Sequence, residues 1–167
     1  MKISLNIYDP SSIDRAIGQI EKYAESLNAK CEALAERLAS MGATNVSFGF
    51  SRLIYTGPVD ISITVESRGD GKYAIIADGE TVLFAEFGAG VTYGYGHPQP
   101  TVDGAQMGPG TYPEGKGHWN DPNGWYLPKS KGREHTYGNP PTAAMYNTGK
   151  DLRNEIQRVA LEVFGKT

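Results

Sequence analysis

The run SSIDRAIGQIEKYAESLNAKCEALAERLASMG, Ser11 to Gly42, decides how the rest of the chain is read. Ile13, Ile17, Ile20, Ala24, Leu27, Cys31, Leu34, Leu38 and Met41 recur at alternating steps of four and three, which places them in one stripe along a helix. Ser11 stands where an N-cap belongs, with Asp14 three residues on, and Gly42 stands where a helix stops. The spacing predicts a helix of about 28 residues, about 42 Å long. That is long for one domain of 167 residues, and the near-heptad spacing calls for a partner helix.

Downstream, the period changes from helical to alternating. TNVSFGFSRLIY (Thr44–Tyr55) sets Val46, Phe48 and Phe50 on one face, and VDISITVES alternates Val59, Ile61, Ile63 and Val65 with polar residues. The turn RGDG (Arg68–Gly71) supplies the positive φ angles of a hairpin before KYAIIAD returns. A second turn at DGE leads into TVLFAEF, read as a last strand. The expectation is an antiparallel meander of three to four strands.

Gly88 to Pro141 is of another texture. It holds eight of the ten prolines, all three histidines and both tryptophans. A loop of this length is improbable inside a compact domain unless it serves some purpose outside it. Tyr93, Tyr95, Tyr112, Trp119, Trp125, Tyr126 and Tyr137 make it unlike a solvated tether. The chain closes with PTAAMYNTGKDLRNEIQRVALEVFGKT, in which Thr142 is a candidate cap and Met145, Gly149, Leu152, Ile156, Val159 and Val163 form a second stripe. The expectation is one α+β domain over 1–167: a long N-terminal helix, the meander, an extended loop or arm over 88–141, and a C-terminal helix.

Composition excludes more than it assigns. A formal net charge of −3 announces neither a nucleic acid nor a membrane surface. Cys31 is the sole cysteine, so no internal disulfide forms. MKISLNIYDP lacks the apolar core of a signal peptide, and no stretch approaches about 18 apolar residues, so we expect a soluble chain made in a cytoplasm, with no membrane partner. His97, His118 and His135, with Asp103 and Asp121, match no metal-ligand spacing. GAGVTYGYG lacks the Lys and Ser/Thr of a phosphate loop. Glu86, in LFAEFG, has two readings: a buried catalytic base, or an acceptor for N–H groups of the glycine-rich backbone that follows it, anchoring the mouth of the loop, the second being favoured. No second group stands at a fixed spacing to complete a catalytic constellation, so no enzyme activity, cofactor or metal is expected.

FAEFGAGV (84–91), HPQP (97–100), GTYPEGKGHWNDPNGWYLP (110–128), HTYGNPPTAAMYNTGKDLR (135–153) and IQRVALEVF (156–164) follow one another in an order that resembles a family of tailed-phage morphogenesis proteins. These are the head–tail joining, neck or tail-completion proteins of long-tailed phages and prophages. The resemblance is strong over 84–164 and weaker before it, and NPP followed by MYNxxK is its most distinctive part. It implies a structural virion protein at the neck or top of the tail, assembled in the host cytoplasm as a six-fold or twelve-fold ring. The implied partners are copies of itself, neighbouring connector and tail-tube proteins and, weakly and without sequence preference, DNA in the lumen. A tail-terminator ring protein is the near alternative. From another class, the alternative is a small phage-encoded metal-dependent hydrolase or nuclease using Glu86 and the loop histidines. In the ring reading Phe87, Tyr93, Tyr95, His97, Tyr112, Trp119, Trp125, Tyr126 and Tyr137 make subunit contacts, with Glu86 and Asn139 anchoring the arm.

Overall fold

The computed structural model describes residues 3–6, 8–54, 59–90, 96–98, 101–102, 105–106, 121–126 and 134–165. It is an α+β fold. Helix α1 spans Ser11–Ser51, strands β1 and β2 span Ser62–Ser67 and Tyr73–Asp78, and helix α2 spans Val82–Phe87. Four two-residue strands follow, β3 (Thr101–Val102), β4 (Ala105–Gln106), β5 (Trp125–Tyr126) and β6 (His135–Thr136), and then helix α3, Ala144–Phe164.

Two expected strands are helical. Thr44–Ser51 continues α1, which runs for 41 residues, about 61 Å. Gly42 is no terminator. It is buried, and a Cβ there would collide with Ile75 and Leu152. At Gly49 a Cβ would collide with Ala144. The two glycines, with Ala39 and Val46 between and beside them, make a face on which α3 lies close. The packing gained there outweighs the propensity cost of glycine within a helix, about 1 kcal/mol each. At the other end of α1 the first helical turn is held by Asp9 rather than by Ser11. The Ser11 N–H donates to Asp9 Oδ1 at 3.1 Å, and the Ser11 hydroxyl donates to the same oxygen at 2.7 Å. These bonds, the hydroxyl first, and Arg15 hold the Asp9 carboxyl below the usual carboxylate range.

The meander reduces to one hairpin. β1 and β2 pair antiparallel from Ser62↔Asp78 to Ser67↔Tyr73. The turn closes through Arg68 N–H to Lys72 O at 2.8 Å, with Gly69, Asp70 and Gly71 all at positive φ. TVLFAEF, read as a strand, is instead the short helix α2. With only two strands, the hairpin covers α1 with Ile61, Ile63, Ile75 and Ala77 but leaves Val59 and Val65 exposed. The core is Val46, Phe50, Ala85 and Ala144, where α1, α2 and α3 meet.

α3 runs antiparallel to α1, from Ala144 beside Gly49 to an ion pair between Glu162 and Arg37. Its cap is Ala143, in the left-handed region at φ 49°, rather than Thr142. Among the described residues, no helix is long and apolar enough to cross a membrane.

α2 has six residues, too few to persist alone. Its N-terminus is held by Asp60, which lies beyond the hairpin in sequence. Asp60 Oδ2 accepts from the Glu80 N–H at 2.8 Å, and Oδ1 accepts from the Thr81 N–H at 3.1 Å and the Thr81 hydroxyl at 2.6 Å. The Thr81 hydroxyl, then these amides, hold the Asp60 carboxyl down to about 2. A depressed carboxyl stabilises the fold above its unfolded value, near 4, and that contribution is lost as pH falls towards 2. Asp60 is solvent-facing, so the contribution is at most about 1 kcal/mol. Asp60→Asn is therefore expected to melt lower than the parent at pH 7, with the gap closing between pH 4 and 2. A gap that persists at pH 2 would assign the loss to packing instead of charge.

Candidate functional site: a polar junction at the base of the long segment

The two ends of the segment 88–141 meet where the C-terminus of α2 abuts the N-terminus of α3. A helix end leaves carbonyls unbonded and a helix start leaves N–H groups unbonded. Here each set is satisfied by the other element. The Thr142 N–H and hydroxyl both donate to Ala85 O, at 2.8 and 2.9 Å, and the Ala143 N–H donates to Glu86 O at 3.1 Å. Asn139 Nδ2 donates to Phe84 O at 2.8 Å. The Asn139 backbone exchanges bonds with Ala89, at 2.9 and 3.0 Å, which closes the base of the segment as a β-bridge.

Glu86 completes the junction in the opposite sense. The residue is buried, at 5% exposure. Oε2 accepts from the Met145 N–H at 2.9 Å and Oε1 accepts from the Tyr146 N–H at 3.0 Å. A carboxylate here meets the positive end of the α3 dipole and caps the helix from outside it. His97 Nε2 lies 3.1 Å from Oε1, and with that oxygen accepting, Nε2 carries the proton. The His97 ring packs 4.5 Å from Phe87 and 5.6 Å from Tyr146, centroid to centroid. Glu86 and Asn139 thus sit at one point, 53 residues apart in sequence, and both tie the segment to the body.

Chemically, this arrangement holds charge and does not present it. Both carboxylate oxygens are engaged by backbone N–H groups, and none of the side-chain N or O atoms buried among the described residues lacks a hydrogen-bond partner. Among the described residues, no group of three or more His, Cys, Asp and Glu is placed to hold a metal ion.

The remaining aromatic residues divide by location. Phe87 and His97 are packed inside the body of the protein, at 9% and 7% exposure. Trp125 and Tyr126 pair with Thr136 and His135 in the β5–β6 ladder. Tyr126, His135 and Tyr137 form an edge-to-face series with centroids 4.9 Å apart, and Tyr126 and Tyr137 face outward at 72% and 53% exposure. Tyr93, Tyr95, Tyr112 and Trp119, with His118 and Asp103, lie outside the described residues.

Sequence reasoning missed Asp60, Thr142 and the amides of Met145 and Tyr146 as partners in these junctions. The N-P-P-T run carries a usable signal, because two prolines force extended backbone ahead of a helix and leave its first amides without local acceptors.

No family model, curated protein or solved structure matches this chain in the comparisons made with it.

Proposed function

We propose that the protein is a structural subunit of a multi-copy ring in the head–tail connector or at the top of the tail of a long-tailed phage. One observation carries this reading: a 54-residue aromatic segment has both of its ends fixed at one buried, hydrogen-bonded junction. Fixing both ends at one point makes the segment an arm with a rigid base. The exposed Tyr126–His135–Tyr137 series beside that base is the kind of aromatic surface on which subunit contacts concentrate. The resemblance over 84–164 supplies the biological setting. Against the hydrolase alternative stands the engagement of Glu86, whose two oxygens accept from the first amides of α3.

Electron microscopy of the purified full-length protein tests the proposal. Closed rings of six or twelve copies are expected. Particles that remain monomeric at tens of micromolar, with no rings, would overturn it.

A further inference from the structure

Towards its N-terminus α1 leaves the body of the protein. α3 reaches α1 as far as Arg37, through Glu162, and the hairpin turn reaches Glu32 with Gly71. Beyond these points every residue from Gln19 to Ala29 is exposed. The segment ahead of the helix bonds back to its start, with the Ser12 hydroxyl donating to Asn6 O at 2.8 Å, and Ser12 and Ala16 are buried. Ile13, Ile17, Ile20 and Leu27 stay open, at 56, 48, 52 and 39% exposure. A bare helix of this length is marginal in water, and a contiguous apolar row on it marks a contact surface.

The spacing of the row indicates what covers it. From Ile13 to Met41 the steps alternate four and three without a break, a period of 3.5. That period belongs to helices that supercoil around each other. The seam runs on into Leu34, Leu38 and Met41, which are half-buried beside the face that α3 and the hairpin cover, whereas nothing among the described residues covers it over Gln19 to Ala29. We propose that residues 13–31 pair, parallel and in register, with the same segment of a second copy of this chain.

Charge selects the direction. Parallel pairing sets Glu21 against Ala16, Tyr23 against Asn28 and Lys30 against Ala35 across the seam, so no like charges face each other. Antiparallel pairing centred on the bare segment sets Glu21 against Glu21. Two facing rows of half-exposed Ile and Leu, flanked by Tyr23 and the stem of Lys30, remove roughly 1,000 Å² from water, the area a specific interface needs. The pairing goes beyond the ring proposal and does not depend on the copies belonging to a virion.

Cys31 lies on this seam and is the sole cysteine, so any disulfide dimer joins Cys31 to Cys31. In the proposed arrangement the two cysteines face each other within the Cα separation of about 4.4–6.8 Å that a disulfide requires. In the antiparallel arrangement they are more than about 20 Å apart along the helices. The test is oxidation of the full-length protein with copper phenanthroline at tens of micromolar, read on a non-reducing gel. Most of the protein is expected as covalent dimer, and Ile20→Asp is expected to cut the rate at least tenfold without moving the unfolding midpoint of the body. A Cys31→Ser, Ala24→Cys double variant, which moves the thiol one heptad along the seam, is expected to cross-link as well. Cross-linking unaffected by Ile20→Asp, or self-association without cross-linking, would overturn the pairing. Rings without the Cys31 dimer leave the ring proposal standing and overturn this one; the dimer without rings does the reverse.

Discussion

Glu86→Ala is expected to lower the stability of the protein by about 3 kcal/mol, seen as a shift of the denaturant midpoint with no change of slope. The carboxylate accepts from two amides at the start of α3 and lies beside His97 in a site closed to solvent. A hydrogen bond to a charged group contributes about 1.5–3 kcal/mol, and removing the acceptor leaves buried donors without partners. The sum is held below the simple total because a water entering the space left by the side chain restores part of the bonding. Glu86→Gln keeps one acceptor oxygen but turns an NH₂ group towards the second amide, so about half the loss is expected. Hydrogen exchange at Met145 and Tyr146 should quicken in both variants. An unchanged midpoint in Glu86→Ala would mean that the start of α3 is satisfied without it, and the proposed arm would lose the main support for a fixed base.

Gly138→Val should cost at least as much, about 3 kcal/mol or more, through the backbone rather than through charge. Gly138 has φ +98°, and a Cβ there would collide with the carbonyl of Ala89, a backbone atom that cannot swing aside. The collision falls in the bridge between Ala89 and Asn139 that closes the segment. Strain from a left-handed residue contributes about 1–2 kcal/mol, and overpacking against fixed atoms a further 1–3 kcal/mol. Gly69→Ala separates the two effects. Gly69 also has positive φ, +76°, but open space around it, so only the strain of about 1 kcal/mol is expected. Equal losses at the two positions would show that the bridge adds nothing to stability.

How far the sequence reaches can be judged element by element. The existence of α1, the hairpin and α3 follows from periodicity alone. Spacing by three and four over nine positions suits only a helix, and alternation around R-G-D-G suits only a hairpin. The ends of those elements are another matter. Val46, Phe48 and Phe50 alternate like a strand, yet Ala39, Gly42, Val46, Gly49 and Phe50 also fall on one side of a helix. Local preference does not choose between the two. α3 does, by packing on the glycine side of α1. Gly42 taken alone signals a stop, because glycine costs a helix stability. Against Ile75 and Leu152 it fits without displacing either side chain, which any Cβ would have to do.

The run VLFAEF is too short to distinguish a buried strand from a buried helix. It is helical because groups distant in sequence satisfy both of its ends: Asp60 at the start, and Asn139, Thr142 and Ala143 at the finish. Glu86 follows the same rule. Its apolar neighbours in sequence indicate that it is buried, and the glycine-rich backbone after it suggests where acceptors are needed. The amides it holds, 59 and 60 residues further on, become its neighbours only once α3 has docked on α1. By itself the sequence determined the periodic elements, whose signals repeat within a few residues. Tertiary structure decided where those elements end and which polar groups meet, because both depend on contacts between residues that no local pattern links.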